Sequence, residues 1–136
     1  MRLLLLAAVL SSTLSWADEI IEVEASVLGT LAHDYDGKRV RTEMSKLSVL
    51  TSRAAGCGKD EVTIMLGPKM RMGEAPAVIS TQFALCVPRG ESAALIPLPM
   101  GTGLVFEADV HVKGRKSNPS ITMDAVNLVE TVPLGD

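Results

Sequence analysis

Aromatic side chains are scarce in this chain: one tryptophan, one tyrosine and two phenylalanines, 3% of 136 residues. A surface that stacks bases needs several exposed rings along a cationic groove. The formal net charge is −3, so the basic excess is missing as well, and both deficits count against a nucleic-acid ligand. Histidine is equally sparse. Only His33 and His111 can act as neutral-pH bases, and no GxSxG, HExxH or Cys–His arrangement accompanies them. No catalytic constellation follows, and the chain reads as a non-enzyme without a cofactor. Two cysteines lack the CxxC or HxxxH spacing that would supply zinc ligands or a redox motif.

What is present begins with an address. Arg2 precedes an unbroken apolar run, Leu3 to Leu10, and small residues then lead to Ser15-Trp16-Ala17. This is the pattern of a secretory signal peptide over residues 1–17, cleaved before Asp18. A spanning helix needs about 20 apolar residues, and Ser11, Ser12, Thr13 and Ser15 interrupt the run first. The expected location is therefore periplasmic or secreted, with no transmembrane segment after cleavage. The only tryptophan leaves with the leader. In an oxidising compartment Cys57 and Cys86 are most simply a disulfide, closing a loop of about 30 residues and worth about 3–4 kcal/mol if unstrained.

The remainder, residues 18–136, reads as one all-β domain. Leu104, Phe106, Ala108, Val110 and Val112 alternate with Glu107, Asp109, His111 and Lys113, the period of a half-buried strand. Lys113 to Pro119 has loop composition. A strand over Ile121 to Glu130 follows, with a bulge near Asp124-Ala125 that moves the inward set from Ile121 and Met123 to Val126 and Leu128. Val78 to Val87 places Ile79, Phe83, Leu85 and Val87 on one face, with Cys86 on the other face or at a fraying end. Glu61 to Leu66 is a short strand, and Val40 to Leu50 a longer one kinked near Ser45. Ser92 to Ile96 allows one helical turn before Pro97 and Pro99. Ile20 to Leu31 fits either a strand or a helical face of Ile20, Val23, Val27 and Leu31, and its β-branched residues favour the strand. Five or six strands with at most one short helical turn make a small closed barrel or sandwich.

The runs YDGKRV, QFALCVPRGESAALIPLPMGTGLVFEADVHVKG and SITMDAVNLVE together resemble the OB-fold, in particular the anticodon-domain-like OB modules of exported bacterial proteins. The resemblance spans Tyr35 to Glu130 and is one of strand rhythm. It departs from many OB barrels in lacking a clear helix between the third and fourth strands. It implies a five- to six-stranded OB-like barrel whose ligand contacts come from the loop between the last two strands, here carrying Lys113, Arg115 and Lys116. The Tyr35–Arg39 turn, with Lys38 and Arg39, would join them.

Three further patterns carry chemistry. Counting from Ala32, Asp34, Asp36, Gly37 and Glu43 fall on EF-hand positions, but the first position is not acidic and Asp-Tyr-Asp-Gly is ordinary turn chemistry. Met65, Met70 and Met72 place soft thioethers close together, as Cu(I) carriers do. The Met70-Arg71-Met72 pair is similar to that of small OB-type periplasmic copper carriers, without their tryptophan. Methionine as core filler is the plainer account. The expected function is an exported binding module whose partner is a protein, an envelope component or a small ligand. Cu(I) binding and a small inhibitor or immunity-type protein are the alternatives.

Overall fold

The computed structural model describes residues 19–50, 57–69 and 82–133. Six strands form one sheet: β1 (Ile21–Glu22), β2 (Arg39–Leu50), β3 (Glu61–Gly67), β4 (Phe83–Pro88), β5 (Gly103–Arg115) and β6 (Asn118–Val132). Their order is β1-β2-β3-β4-β6-β5, and β5 returns to pair with β2. Strands β2 to β6 thus close into an OB-like barrel, with β1 added parallel to β2 outside the ring. Every pairing within the ring is antiparallel except β4 with β6.

The alternation read from the sequence is what fills the barrel. Leu104, Phe106, Ala108 and Val110 are all at most 1% exposed, and Val112 closes the row. They meet Val62, Ile64 and Leu66 of β3 and Phe83, Leu85 and Val87 of β4 in one apolar core. The kink in β2 is a bulge: Lys46 faces Leu66 and Ser48 faces Met65, leaving Leu47 as the extra residue. Residues 78–81 of the anticipated fourth strand lie outside the described residues.

Three expectations are corrected. Ile20 to Leu31 is not an extended strand: after the two residues of β1 it turns into helix α1, Ala25–Thr30, and a 3-10 turn, Ala32–Tyr35. Ala25, Leu28 and Ala32 are the buried residues, at the three-to-four spacing of a helix. The anticipated helical face was also wrong, since Val27 and Leu31 are exposed. Burial of this small-residue stripe overrides the strand preference of the valines.

Lys113 to Pro119 is not a loop either. Strands β5 and β6 run through it to a turn at Lys116-Ser117, pairing Arg115 with Asn118. Gly114 makes this possible: its φ is +89°, and a Cβ there would lie 2.9 Å from the Asn118 carbonyl oxygen. Finally, the bulge expected in β6 is found at Val126, and a second follows at Val129. Val126 and Leu128, however, do not turn inward. They are 44% and 41% exposed, because β4 accompanies β6 only from Ile121 to Asp124.

The connection from β4 to β5, where many OB barrels place a helix, holds only the four-residue α2 (Arg89–Ser92) and a series of turns. A lysine organises it. The Lys46 backbone exchanges hydrogen bonds with this segment, its N–H donating to Thr102 O at 2.9 Å and its carbonyl accepting from Gly101 N–H at 2.8 Å. Its ammonium donates to the carbonyls of Leu95, Ile96 and Leu98 at 3.0, 2.7 and 2.5 Å. Leu95 is buried beneath the turn. One cation therefore satisfies carbonyls that a helix would have satisfied internally. Burial lowers the Lys46 pKa from its ordinary value.

Candidate functional site

The basic residues expected to make contacts lie on β5, on its hairpin with β6 and on the neighbouring turn. The 35–38 turn is strapped to β5: Gly37 N–H donates to Val110 O at 2.8 Å and Val110 N–H to Lys38 O at 2.9 Å. Asp36 Oδ1 accepts from Val112 N–H at 2.9 Å. These bonds set Lys38 beside the strand that carries Lys113 and Arg115 into the hairpin. The side chains of Lys38, Lys113, Arg115 and Lys116 are exposed. A cleft of about 140 Å³ joins the 3-10 turn to the hairpin, lined by Thr30, Leu31, Ala32, His33, Asp34, Lys116 and Pro119. Within it the buried Nε2 of His33 has no hydrogen-bond partner.

Two of the anticipated residues are committed elsewhere. Tyr35 packs against the core. Arg39 donates from Nε and Nη2 to both carboxylate oxygens of Asp109, at 2.8 and 3.2 Å. Those hydrogen bonds hold the Asp109 carboxyl below its ordinary pKa, helped by the charges of Arg39 and His111, while partial burial works the other way.

The EF-hand residues do not converge. Asp36 serves the turn, and Glu43 sits on β2 with Lys69 Nζ 3.4 Å from its Oε2. Met65 lies half-buried on β3, whereas Met70 and Met72 fall outside the described residues. The acidic side chains gather instead beside β1, where Glu22, Glu24 and Glu43 line an open groove of about 310 Å³ with Val23, Arg41, Thr42 and Val105. The groove beside β1 thus carries three glutamates and one arginine, and the cleft by the hairpin one lysine and one aspartate.

A second constellation was not visible in the sequence. Cys57 and Cys86 form the anticipated disulfide, with an S–S distance of 2.02 Å. Cys86 lies on the outer face of β4, opposite to Phe83, Leu85 and Val87, and is buried outside the apolar core. In register it stands between Thr63 of β3 and Asp124 of β6. Glu61 shares the outer face of β3 with Thr63. The ligand atoms of Glu61, Cys86 and Asp124 all lie within 4.8 Å of one another, the only such group of three among the described residues. Glu61 Oε1 accepts from Gly58 N–H at 2.7 Å, and His111 Nε2 lies 2.9 Å from Asp124 Oδ2. These residues are far apart in the chain, and no spacing rule joins them. Only the β3-β4-β6 order brings them side by side.

Compared with known families and characterised proteins, the sequence matches no family model and no curated relative. Among the described residues no helix is long and apolar enough to cross a membrane.

Proposed function

We propose that this protein is an exported, non-enzymatic binding module of OB type, akin to the anticodon-domain-like modules it resembles. It engages an acidic surface of a protein partner through the β5–β6 hairpin and the adjoining turn. The observation that carries this reading is the strapping of the 35–38 turn onto Val110 and Val112, which fixes Lys38 against the strand that continues to Lys113, Arg115 and Lys116. Four exposed cations on these adjoining segments, in a chain with net charge −3, make a polarised surface that orients an acidic partner and accelerates its arrival. The few aromatic rings disfavour nucleic acid as that partner.

The test is affinity capture from an envelope fraction with the wild-type domain and a Lys113→Glu/Arg115→Glu/Lys116→Glu variant. A partner retained by the wild type, lost in the variant and released by moderate salt supports the reading. A partner held equally by both places the interface elsewhere on the barrel. If the captured partner is an enzyme, its activity with and without the domain separates an inhibitor from an adaptor.

A further inference from the structure

The cluster around the disulfide has a second chemistry. The geometry points to a redox-gated site for a zinc-class divalent cation: once the Cys57–Cys86 bond is reduced, Cys86, Cys57, Glu61 and Asp124 ligate one metal ion. The disulfide and the metal are then alternative occupants of one place on the barrel.

Zinc takes four ligands from thiolate sulfur at about 2.3 Å and carboxylate oxygen at about 2.0–2.2 Å, which places ligand atoms about 3.3–3.8 Å apart. The ligand atoms of Glu61, Cys86 and Asp124 already lie within 4.8 Å of one another. Side-chain rotation of Glu61, Cys86 and Asp124 about their strand positions closes the remainder. The Cys57 sulfur is bonded to that of Cys86, so reduction frees a second thiol beside the first. Two sulfurs favour a borderline-soft ion over calcium or magnesium.

The surroundings are those of a supported site. Gly58 N–H fixes the Glu61 carboxylate, and His111 stands against one oxygen of Asp124, leaving its other oxygen for a metal. Such outer hydrogen bonds orient metal-binding carboxylates. The side chain of Asp124 is 50% exposed, which gives an ion access from solvent. Glu61, Cys86 and Asp124 sit on the hydrogen-bonded strands β3, β4 and β6, and Cys57 on the segment that leads into β3.

The chemistry balances with a dithiol as reductant. The dithiol delivers two electrons and two protons, becomes a disulfide, and leaves two cysteine thiols. Metal binding then displaces the two thiol protons to solvent. In reverse, an oxidant bearing a disulfide takes two electrons from the thiolates, re-forms the Cys57–Cys86 bond, and expels the ion.

The test uses cobalt(II) as a spectroscopic stand-in and zinc as competitor, on the whole chain before and after anaerobic dithiol reduction. The reduced protein is expected to take up one equivalent of cobalt with sulfur-to-metal charge-transfer absorption, discharged by zinc. The oxidised protein should show no such absorption. Bound zinc should slow both alkylation of the thiols and their reoxidation. Glu61→Gln and Asp124→Asn keep the disulfide and are expected to weaken metal binding by the reduced protein at least about tenfold. Three results would overturn the proposal: no uptake after reduction, uptake unchanged in both carboxylate variants (two thiols acting alone), or loss of the native circular dichroism on reduction even with zinc present.

Discussion

The two halves of β6 obey different rules although they read alike in sequence. From Ile121 to Asp124 the strand lies between β4 and β5. Ile121 and Met123 are buried there, at 3% and 0% exposure. From Ala125 onward β5 is its sole strand partner among the described residues, and two bulges interrupt that pairing. Val126, Leu128 and Val129 are exposed in this half. A strand buries its alternate residues only where a sheet encloses them, so an apolar side chain without a second neighbouring strand stays wet. The bulges twist this half and blunt the open edge that a lone outer strand presents.

The sharpest way to break the comparison is paired truncation. Met123→Ala should cost about 2–5 kcal/mol, as deletions of a buried long side chain do. Leu128→Ala should cost less than about 1 kcal/mol, as substitutions of exposed residues do. Denaturant titration reads both values, and equal losses would mean that the outer half is covered in solution.

The next effect concerns what holds the outer half in place. Its strand partner, the start of β5, follows directly from Gly101 and Thr102, which bond to Lys46. Lys46→Met removes the donor from three carbonyls, and about 2–3 kcal/mol of stability should be lost. Hydrogen exchange should quicken at Val126–Thr131 before it does at Ile121–Asp124. Uniform quickening would show that the two halves open together.

A smaller effect is expected on surface behaviour. Val126→Lys/Leu128→Lys should leave stability within about 0.5 kcal/mol while reducing any self-association seen by light scattering at high concentration. A clear loss of stability would place these side chains in a packed environment.

At neutral pH the smallest effect belongs to the Arg39–Asp109 pair, whose contribution shows itself in acid. The folded-state pKa of Asp109 is lowered by Arg39, so its contribution is fully present above the unfolded-state value of about 3.9. It disappears as pH falls through the lower folded value. The side chains of Arg39 and Asp109 are 33% and 37% exposed, and solvent screening keeps the pair at or below about 1 kcal/mol. Asp109→Asn should therefore flatten the stability profile below pH of about 4 and change little at neutrality. A large neutral-pH loss would show that the pair matters more than its exposure allows.

These contrasts also explain what was legible beforehand. Strands β3 and β5 were readable because alternation is a local signal with a single physical cause, one buried face. The disulfide followed from an even cysteine pair behind a signal-like leader. Helix α1 and the 3-10 turn after it were missed because their buried stripe is Ala25, Leu28 and Ala32, in which two alanines carry little hydrophobic contrast, while Val27 faces outward. Gly114 and Pro119 read as loop residues, whereas a positive φ at Gly114 lets the hairpin continue to its tip. Lys46 could not be recognised as buried, since its three carbonyl partners lie in a separate segment that carries no side-chain signal. The Glu61–Cys86–Asp124 group depends on strand order and register. Both are properties of the closed barrel and not of any window along the chain.

The closure itself has a kinetic consequence. The β5–β6 hairpin turns in two residues and can form early, because little chain entropy is lost in closing so short a loop. The two seams that complete the ring are different. One is the parallel β4–β6 pairing, and the other joins β2 to β5 across 70 residues at Arg39 and Asp109. The Cys57–Cys86 staple spans neither seam, as it ties the approach to β3 to its neighbour β4. The staple cuts the 57–86 stretch out of the β2–β5 loop but leaves the β4–β6 loop at full length. Barrel assembly therefore still waits on two distant encounters, which places this domain among the slow, high-contact-order folders, in the range of about milliseconds to seconds.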